Sequence, residues 1–472
     1  MCTVRIETLG CRLNQIESES AAQLFIESGF NVVFSINDVD DQTRLVIINT
    51  CAVTQKAEQK ARRIFRLVLK NYKNAVVLIT GCYAQLSKEQ IEKMDARIAV
   101  LGGQIKSRIA KLPDLLKNNM LSPAEFAALV KNELCNIPAI KPGFPEDSFK
   151  FAASSLQAHS RASLKIQDGC NNNCSFCTIH IARGHSVSLD VKSALERVRA
   201  LENQGYDEVV LTTINIAQYR GLFIDSNGVE QYFDFAALLK YLLESTEKIN
   251  FRISSLYPEI VNDDFCSVIK NQRVRPHFHI SVQSGSNKIL QLMNRRYNRD
   301  DVLNACKNLR VAKPDCFLAC DIITGFPEES DADFEQTLDL CKNCDFTWIH
   351  SFPFSARPGT PAFDMKPKIP QSVSQKRAHK LNDWAVQQKI SYIKSFIGKP
   401  LPAIIEKQQP SSTEKTFIYN CMTQNFIHCQ VSSLTPLQES KEYKITISDV
   451  LFENIHKGGE IEALAVFDIN NN

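Results

Sequence analysis

Gly169-Cys170-Asn171-Asn172-Asn173-Cys174-Ser175-Phe176-Cys177 carries three cysteines in the spacing C-x3-C-x2-C. An iron–sulfur cube held by protein alone takes four thiolates, and a structural zinc site likewise takes four ligands. Three thiolates on one short loop would leave one metal open to a substrate or cofactor. The asparagines tolerate left-handed backbone, so the loop can wrap a cluster with its amides toward sulfide. A zinc knuckle completed by His180 or His185 is the alternative.

The cysteine loop follows a short apolar strand predicted over residues 163–167, and further βα units follow it. Strands are predicted at 208–213, 250–254, 277–281 and 317–323, with helices such as 190–204 between them. Five or six such units predict a TIM-like barrel, complete or partial, over residues 155–395. Barrels of this kind carry their sites at the C-terminal face of the strands.

Residues 1–140 predict an α/β domain with a parallel sheet. Its strands, at 4–9, 45–49 and 76–80, each end near a cysteine, namely Cys11, Cys51 and Cys82, and two of these follow a glycine directly. Taken singly, each is more simply a buried structural thiol. Because the carboxyl ends of parallel strands meet at one edge, their shared placement favours a second three-thiolate cluster.

The rest of the sequence limits which class of protein this can be. Residues 120–160 contain four prolines and predict a linker, and residues 396–467 alternate as a small β module does. No secretion signal or long apolar run is visible, so the 16 cysteines are expected to be reduced thiols in the cytoplasm, with no membrane partner. The net charge of +3 does not by itself announce a nucleic-acid partner.

Several motifs carry a resemblance to a known family. Cys-x3-Cys-x-Phe-Cys resembles the radical S-adenosylmethionine (SAM) superfamily. The wider set is similar to the methylthiotransferases, most of all to the branch that modifies N6-threonylcarbamoyladenosine in tRNA. Its members here are Thr8-Leu9-Gly10-Cys11-Arg12-Leu13-Asn14-Gln15, Asn49-Thr50-Cys51-Ala52-Val53-Thr54, Gly81-Cys82-Tyr83-Ala84-Gln85, Gln283-Ser284-Gly285-Ser286, Asp321-Ile322-Ile323-Thr324-Gly325-Phe326-Pro327-Glu328 and Ser355-Ala356-Arg357-Pro358-Gly359-Thr360-Pro361.

The resemblance implies two [4Fe-4S] clusters and SAM as cofactors. One cluster, at the catalytic Cys170, Cys174 and Cys177, would reduce the SAM sulfonium and so generate a 5′-deoxyadenosyl radical. The other, at Cys11, Cys51 and Cys82, would deliver sulfur. The implied product is the 2-methylthio derivative of N6-threonylcarbamoyladenosine at tRNA position 37, beside the anticodon. An electron donor and a sulfur donor are implied partners, and the terminal module stands where the family has an RNA-binding TRAM domain.

Further contacts follow from the same resemblance. Five residues are implied to contact SAM, although each also has an ordinary packing interpretation: Phe176, Ser254, Gly325, Phe326 and Pro327. For tRNA, the basic stretch 55–73 repeats apolar residues at helical spacing, which predicts an outward cationic face. Its candidates are Arg62, Arg63, Arg66 and Lys70, with Arg295, Arg296 and Arg299 as a second basic group. Such a charge run can equally be a solvated helix.

The chain also departs from the family pattern around the expected pocket. His180 stands where a proline is usual, Thr213 and Ala217 replace two glycines, and no Arg-Ser-Arg follows Gly184. Two related substrates therefore stay open, an aspartate of a ribosomal protein and isopentenyladenosine in tRNA. A non-catalytic zinc-bearing RNA-binding protein is the alternative of a different class.

Overall fold

A computed structural model of the chain describes residues 2–119, 121–136, 148–151, 153–154, 161–410 and 416–467. The N-terminal part is built on a parallel sheet in the order β2-β1-β3-β4-β5, which confirms the three predicted strands. The strands are β1 Thr3–Thr8, β2 Asn31–Val33, β3 Thr43–Thr50, β4 Val76–Gly81 and β5 Ile98–Gly102. The helices are α1 Arg12–Glu27, α2 Gln55–Asn71, α3 Cys82–Leu86, α4 Lys88–Glu92, α5 Leu112–Asn118 and α6 Pro123–Val130, with a 3-10 helix at Gly103–Lys111.

The prediction of a linker over residues 120–160 is wrong for the first half of that segment. Ser122 caps α6 in a reciprocal capping box with Glu125, and a π-helical turn at Lys131–Cys135 follows. Phe126, Val130 and Leu134 are buried in the N-terminal core, so this segment is part of the domain. Its prolines misled the prediction, because Pro123 occupies the first helical turn, where proline costs nothing. Much of the second half, residues 137–147 and 155–160, lies outside the described residues.

The central part is a partial barrel of six parallel strands. The sheets β13-β10-β7-β6 and β14-β15-β16 meet through parallel bridges Phe251–Val274 and Leu256–Ile280. Only the edge strand β6 runs antiparallel to its neighbour within these two described sheets. The strands are β6 Ala153–Ser154, β7 Ala162–Lys165, β8 Gln167–Asp168, β9 Val187–Ser188, β10 Glu208–Thr212, β11 Gly221–Ile224, β12 Glu230–Phe233, β13 Asn250–Ile253, β14 His277–Gln283, β15 Phe317–Thr324 and β16 Trp348–Pro353.

Helices cover the outside of this barrel, as the βα pattern predicted. They are α7 Ile179–Arg183, α8 Val191–Asn203, α9 Phe235–Ser245, α10 Asp263–Ile269, α11 Asn287–Leu292, α12 Arg299–Ala312, α13 Asp331–Asn343, α14 Pro361–Asp364 and α15 Gln371–Lys394. Most of their apolar faces share one large core with the strands, whereas Ala182 of α7 and Ala362 of α14 belong to other apolar clusters.

The C-terminal part is a closed barrel in the order β17-β18-β19-β21-β20. Its elements are β17 Pro400–Gln409, β18 Phe417–Thr423, β19 His428–Ser433, β20 Glu442–Val450, α16 Phe452–Lys457 and β21 Ala463–Val466. Phe426 stacks on His277, the first residue of β14, with ring centroids 4.0 Å apart. The closed barrel therefore covers the N-terminal ends of the central strands, opposite the cysteine loop. Among the described helices, none has the length and apolar content needed to cross a membrane.

Candidate active site

Three cysteines gather at the carboxyl edge of the N-terminal sheet. Cys11 precedes α1, Cys51 follows β3, and Cys82 begins α3 directly after β4. Gly10 has a positive φ of 104°, and a Cβ there would lie 2.4 Å from Cys51 Cβ and 2.9 Å from Cys51 Sγ. A glycine is required for that approach. The structure thus brings together the three thiols that the sequence grouped.

Burial favours the protonated form of two of these thiols, Cys51 and Cys82. It raises the pKa of Cys51 to about 11 and also raises the pKa of Cys82, while the charge of Arg183 lowers both. The neighbouring thiols contribute too, since Cys11 and Cys82 each act to raise the pKa of Cys51. A metal binding here would displace these protons, which couples its affinity to pH.

The second cysteine group lies at the C-terminal mouth of the central barrel. Cys170, Cys174 and Cys177 line one cavity of about 150 Å³. The other lining residues are local neighbours of the loop, Asn172, Phe176, Ile179 and His180, and residues from distant parts of the chain, Ile214, Tyr257, Gln283 and Arg295. Gly169 holds the start of the loop, because a Cβ there would lie 2.0 Å from the His185 carbonyl oxygen.

Hydrogen-bond donors surround the sulfur atoms of this second group. Arg295 Nη1 donates to Cys174 Sγ over 3.3 Å, and Asn215 Nδ2 donates to Cys170 Sγ over 3.6 Å. Backbone N–H groups of Asn172 and Ile179 donate to Cys170 and Cys177 over 3.4 and 3.5 Å. Such donors favour the thiolate form that a metal requires.

The sequence did not identify Arg295 and Asn215 as members of this site. The sequence grouped Arg295 with a basic RNA-binding cluster, but its guanidinium contacts Cys174 and lies over the rings of Tyr257 and Tyr297 at 4.8 Å. It stands 121 positions from Cys174 along the chain. No local spacing pattern signals a contact at that separation.

Arg183 connects the surroundings of the two cysteine groups. It ends α7, and its Nη1 donates to Asp168 Oδ1 over 2.9 Å and to Glu17 Oε1 over 3.2 Å. Its Nη2 donates to Asn14 Oδ1 over 2.9 Å. Asp168 precedes the loop of Cys170, and Glu17 lies on the helix that begins after Cys11, so this guanidinium ties both loops into one buried charge network.

The residues predicted to contact SAM divide between two places. Phe176 lines the cysteine cavity and packs edge-on against the buried Phe326, with centroids 6.5 Å apart. Ser254 lies deeper in the barrel, where its hydroxyl is 3.3 Å from that of Thr213. Both roles stay predictions.

Gly325 and Pro327 sit in the turn after β15. Packing requires a glycine at position 325, because a Cβ there would lie 1.8 Å from Ser374 Oγ on α15. The Glu329 carboxylate accepts a hydrogen bond from the Gly325 N–H over 2.6 Å. Pro327 is buried in the same turn. Their predicted contact with SAM likewise stays a prediction.

The departures from the family pattern lie close to these cavities. His180 lines the cysteine cavity, and its buried Nδ1 has no hydrogen-bond partner among the described residues. Thr213 contacts Ser254, and Ala217 lies in a 3-10 turn capped by Asn215. The two substituted glycine positions therefore bear side chains without backbone strain.

The basic segment forms the amphipathic helix α2, as predicted. Ala61, Ile64, Phe65 and Val68 are buried, whereas Arg63, Arg66 and Lys70 are exposed. Arg62 is half-buried and donates a hydrogen bond to the Tyr83 hydroxyl over 2.8 Å. The predicted outward face is thus observed for Arg63, Arg66 and Lys70 but not for Arg62, and contact with tRNA stays a prediction.

Neither cysteine group is arranged around a single metal ion. In the part of the chain that the structure describes, no group of three or more His, Cys, Asp or Glu side chains converges to hold one metal ion. A zinc ion needs such convergence, because all its ligands bind one centre at about 2.0–2.3 Å. In a [4Fe-4S] cube each thiolate binds a different iron, so three thiols that do not converge on one centre are compatible with it. In the second group, N–H donors also reach all three sulfur atoms.

Comparisons with known proteins first identify the class of protein to which the chain belongs. Residues 164–341 match the model of the radical SAM superfamily, and residues 3–103 match that of "Uncharacterized protein family UPF0004". The structure is also similar to that of TsrM, a radical SAM methyltransferase from Kitasatospora setae solved with cobalamin and a [4Fe-4S] cluster bound. The TM-score is 0.49 at 12% identity, and 77% of each chain is covered.

Two curated relatives narrow the class. The chain is 41% identical to "Threonylcarbamoyladenosine tRNA methylthiotransferase MtaB" from Treponema pallidum, over 86% of this chain and 92% of the relative. It is 31% identical to "tRNA-2-methylthio-N(6)-dimethylallyladenosine synthase" from Orientia tsutsugamushi, over 85% and 87%. The chain therefore belongs to the radical SAM methylthiotransferase family, and it is an enzyme that uses SAM and a [4Fe-4S] cluster.

Proposed function

We propose that this enzyme is a tRNA methylthiotransferase that adds sulfur and a methyl group to C2 of N6-threonylcarbamoyladenosine at position 37, beside the anticodon. The observation that carries the proposal is the 41% identity to a threonylcarbamoyladenosine methylthiotransferase across nearly its whole length. The tRNA would be met in the cytoplasm, the compartment predicted from the sequence.

The two cysteine groups support a two-cluster enzyme. Cys170, Cys174 and Cys177 would hold the SAM-binding [4Fe-4S] cluster, and Cys11, Cys51 and Cys82 would hold a second one that delivers sulfur. When bound, a cluster with SAM supplies the radical chemistry that an unactivated aromatic C–H bond demands. Arg295 would orient Cys174, Asn215 would orient Cys170, and Arg183 would fix the loops of both groups relative to each other.

The substrate-binding face is proposed to include α2. An anticodon loop presents unpaired bases and a phosphate backbone, so binding requires outward cations near the site and a base splayed into it. Gln55, at the start of α2, donates its backbone N–H to Ser355 Oγ over 3.2 Å, and Glu58 pairs with Arg357. These contacts hold the basic helix against the loop after β16, at the same barrel mouth as the cysteine cavity.

Removing the outward cations of α2 is expected to weaken tRNA binding through electrostatics. The triple substitution Arg63→Ala, Arg66→Ala and Lys70→Ala should lower affinity roughly tenfold or more. It should also make the slope of log K against log salt less negative by about 2, since each phosphate contact contributes about 0.7–0.9. Filter binding or fluorescence anisotropy across a salt series measures both. A matched triple on the barrel helices, Lys192→Ala, Arg199→Ala and Lys240→Ala, is the control, and equal salt slopes for the two triples would contradict an RNA-binding α2.

Nucleoside mass spectrometry of tRNA tests the reaction and substrate together. Deleting the gene should remove 2-methylthio-N6-threonylcarbamoyladenosine and leave its N6-threonylcarbamoyladenosine precursor in place. Loss of the dimethylallyl derivative instead would assign the chain to the other tRNA branch. If no methylthio nucleoside changes, the target is the ribosomal-protein aspartate or something else.

Metal content tests the enzyme against its non-catalytic alternative. Protein purified without oxygen should be brown and carry about eight irons per chain, as two four-iron clusters require. A colourless protein with zinc and no iron would make it a zinc-bearing RNA-binding protein. About four irons with the spectrum of a single cluster would overturn the proposed second centre.

A further inference from the structure

A second cavity, of about 260 Å³, lies inside the central barrel between the cysteine mouth and the C-terminal barrel. Its walls are mainly alternate residues of five neighbouring strands, the pattern of side chains that point to one face of a sheet, and Ile253 and Ser255 at the end of β13 also line it. The alternate residues are Val210 and Thr212, Arg252 and Ser254, His277 and His279, Phe317 and Ala319, and Trp348 and His350. Arg12 from α1, Arg161, Lys389, Phe426, His428 and Glu462 also line it.

One cation of this barrel cavity, Arg12, feels the charges of Glu208, Glu19 and Glu406 but forms no direct ion pair with a described residue. Lys389 pairs with Glu462, Arg252 pairs with Glu208 over 2.7 Å, and Arg161 reaches Glu406 over 3.4 Å. Arg12 donates one hydrogen bond, to Ser163 Oγ over 3.1 Å, and forms no ion pair with any described residue. The lining holds four cations and one acid, and one positive charge stays in surplus when the adjoining Glu208 and Glu406 are counted as well.

Two further observations show that the barrel cavity is electropositive and short of acceptors. Burial, together with Arg161, Lys389, Arg252 and Arg12, lowers the pKa of His428 to about 3. Arg252 Nη1 and Arg161 Nε are buried N–H donors with no partner among the described residues. An unsatisfied buried donor is costly, and one carboxylate could accept from several of these groups.

The barrel cavity adjoins the cysteine cavity along the same strand ends. Ser255 lines the barrel cavity, and Tyr257, two residues later, lines the cysteine cavity. Thr213, whose hydroxyl contacts that of Ser254, directly precedes Ile214 of the cysteine cavity. On β14, His279 lines the barrel cavity and Gln283 lines the cysteine cavity, four residues or roughly 13 Å apart. A base placed at the cysteine end could therefore extend a side arm past the hydroxyls of Ser254 and Ser255 toward the cations.

We infer that the barrel cavity, with Arg12 as its charge-pairing residue, binds the free carboxylate of the threonylcarbamoyl arm of the substrate base. This inference rests on the proposed function, since it names how that substrate is recognised. The single surplus charge matches one carboxylate, and the serine hydroxyls match the carbamoyl and threonine hydroxyl groups. A dimethylallyl arm is apolar and would leave the buried cations unsatisfied, so the barrel cavity discriminates between the two tRNA substrates named for the relatives.

The test uses an anticodon stem-loop RNA in three forms, with threonylcarbamoyl, dimethylallyl or no substituent on the adenosine. Fluorescence anisotropy gives the affinities, and product formation gives kcat and KM. The wild-type protein should favour the threonylcarbamoyl RNA, and Arg12→Met should weaken that binding at least about tenfold, the effect of losing one charge-assisted hydrogen bond. The other two RNAs should bind Arg12→Met as they bind the wild type. Arg12→Lys should keep most of the preference, and Arg199→Met on an exposed part of α8 should keep all of it.

A change in the RNA alone makes the test independent of protein folding. Converting the threonine carboxylate to its methyl ester removes the charge, and the wild-type protein should then lose the same tenfold. If the wild type prefers the threonylcarbamoyl RNA but neither the ester nor Arg12→Met weakens it, the barrel cavity does not read the carboxylate, while the proposed function stands. If the wild type shows no preference for the threonylcarbamoyl RNA, the proposed substrate itself fails.

Discussion

Cys174→Ala is expected to abolish SAM cleavage, whereas Cys51→Ala is expected to leave cleavage measurable and to stop sulfur insertion. Cys174 is one of only three thiols in its cavity and accepts a hydrogen bond from Arg295. Loss of outer-shell partners of a metal site typically costs about 10–100-fold, so loss of a ligand should exceed 100-fold. Cys51 lies in the other group, on a different sheet edge. Its removal should therefore spare the SAM-binding centre.

The measurement is 5′-deoxyadenosine formed under anaerobic reducing conditions, followed beside the methylthio nucleoside in tRNA. Cys266→Ala is the control, because Cys266 is a half-buried thiol on α10 and does not line the cysteine cavity. Iron content should fall by about half in each of the two cluster variants and stay unchanged in the control. Equal loss of SAM cleavage in Cys174→Ala and Cys51→Ala would contradict separate roles for the two cysteine groups.

The grouping of the six cysteines into two sets could be predicted from the sequence for a physical reason. Cys170, Cys174 and Cys177 are local, so their spacing alone joins them. Cys11, Cys51 and Cys82 are far apart, but each closes a strand of one parallel sheet, and parallel strands deliver their carboxyl ends to a common edge. The periodicity of the sequence and the order of the predicted strands were therefore enough to group these cysteines.

The electrostatic surroundings could not be predicted in the same way. Arg295 meets Cys174 across 121 positions, and the barrel cavity joins Arg12 of the N-terminal part to Arg252 and His428. Such contacts depend on which strand lies beside which and on how far each side chain reaches. Neither the strand neighbours nor the reach of a side chain can be predicted from a local sequence pattern. Ser254 illustrates the limit, since its strand end was predicted correctly and yet it lines the barrel cavity instead of the cysteine cavity.

Glu17→Gln is expected to destabilise the protein strongly by removing one buried charge. The Glu17 carboxylate is only 4% exposed and accepts from Lys165 over 3.0 Å, from Arg183 over 3.2 Å and from Lys106. Asp168 is the second acid of this network and pairs with Lys165 and Arg183. Without Glu17, three buried cations would face one carboxylate. Breaking a buried ion pair by removing one partner costs about 3–5 kcal/mol.

The pH dependence separates this charge effect from a packing effect. Burial opposes ionisation of Glu17, but Arg183, Lys106 and Lys165 outweigh it and hold the pKa of Glu17 well below its ordinary value of 4.5. A group with a depressed folded-state pKa contributes stability above its unfolded-state pKa and loses it as the pH falls. The difference in unfolding free energy between wild type and Glu17→Gln should therefore be full at neutral pH and shrink below about pH 4.5. Glu27→Gln, at the exposed end of the same helix, should change stability by less than about 0.5 kcal/mol. A Glu17→Gln deficit that does not change with pH would assign the cost to packing, and a deficit below about 1 kcal/mol would mean that Asp168 alone can balance the three cations.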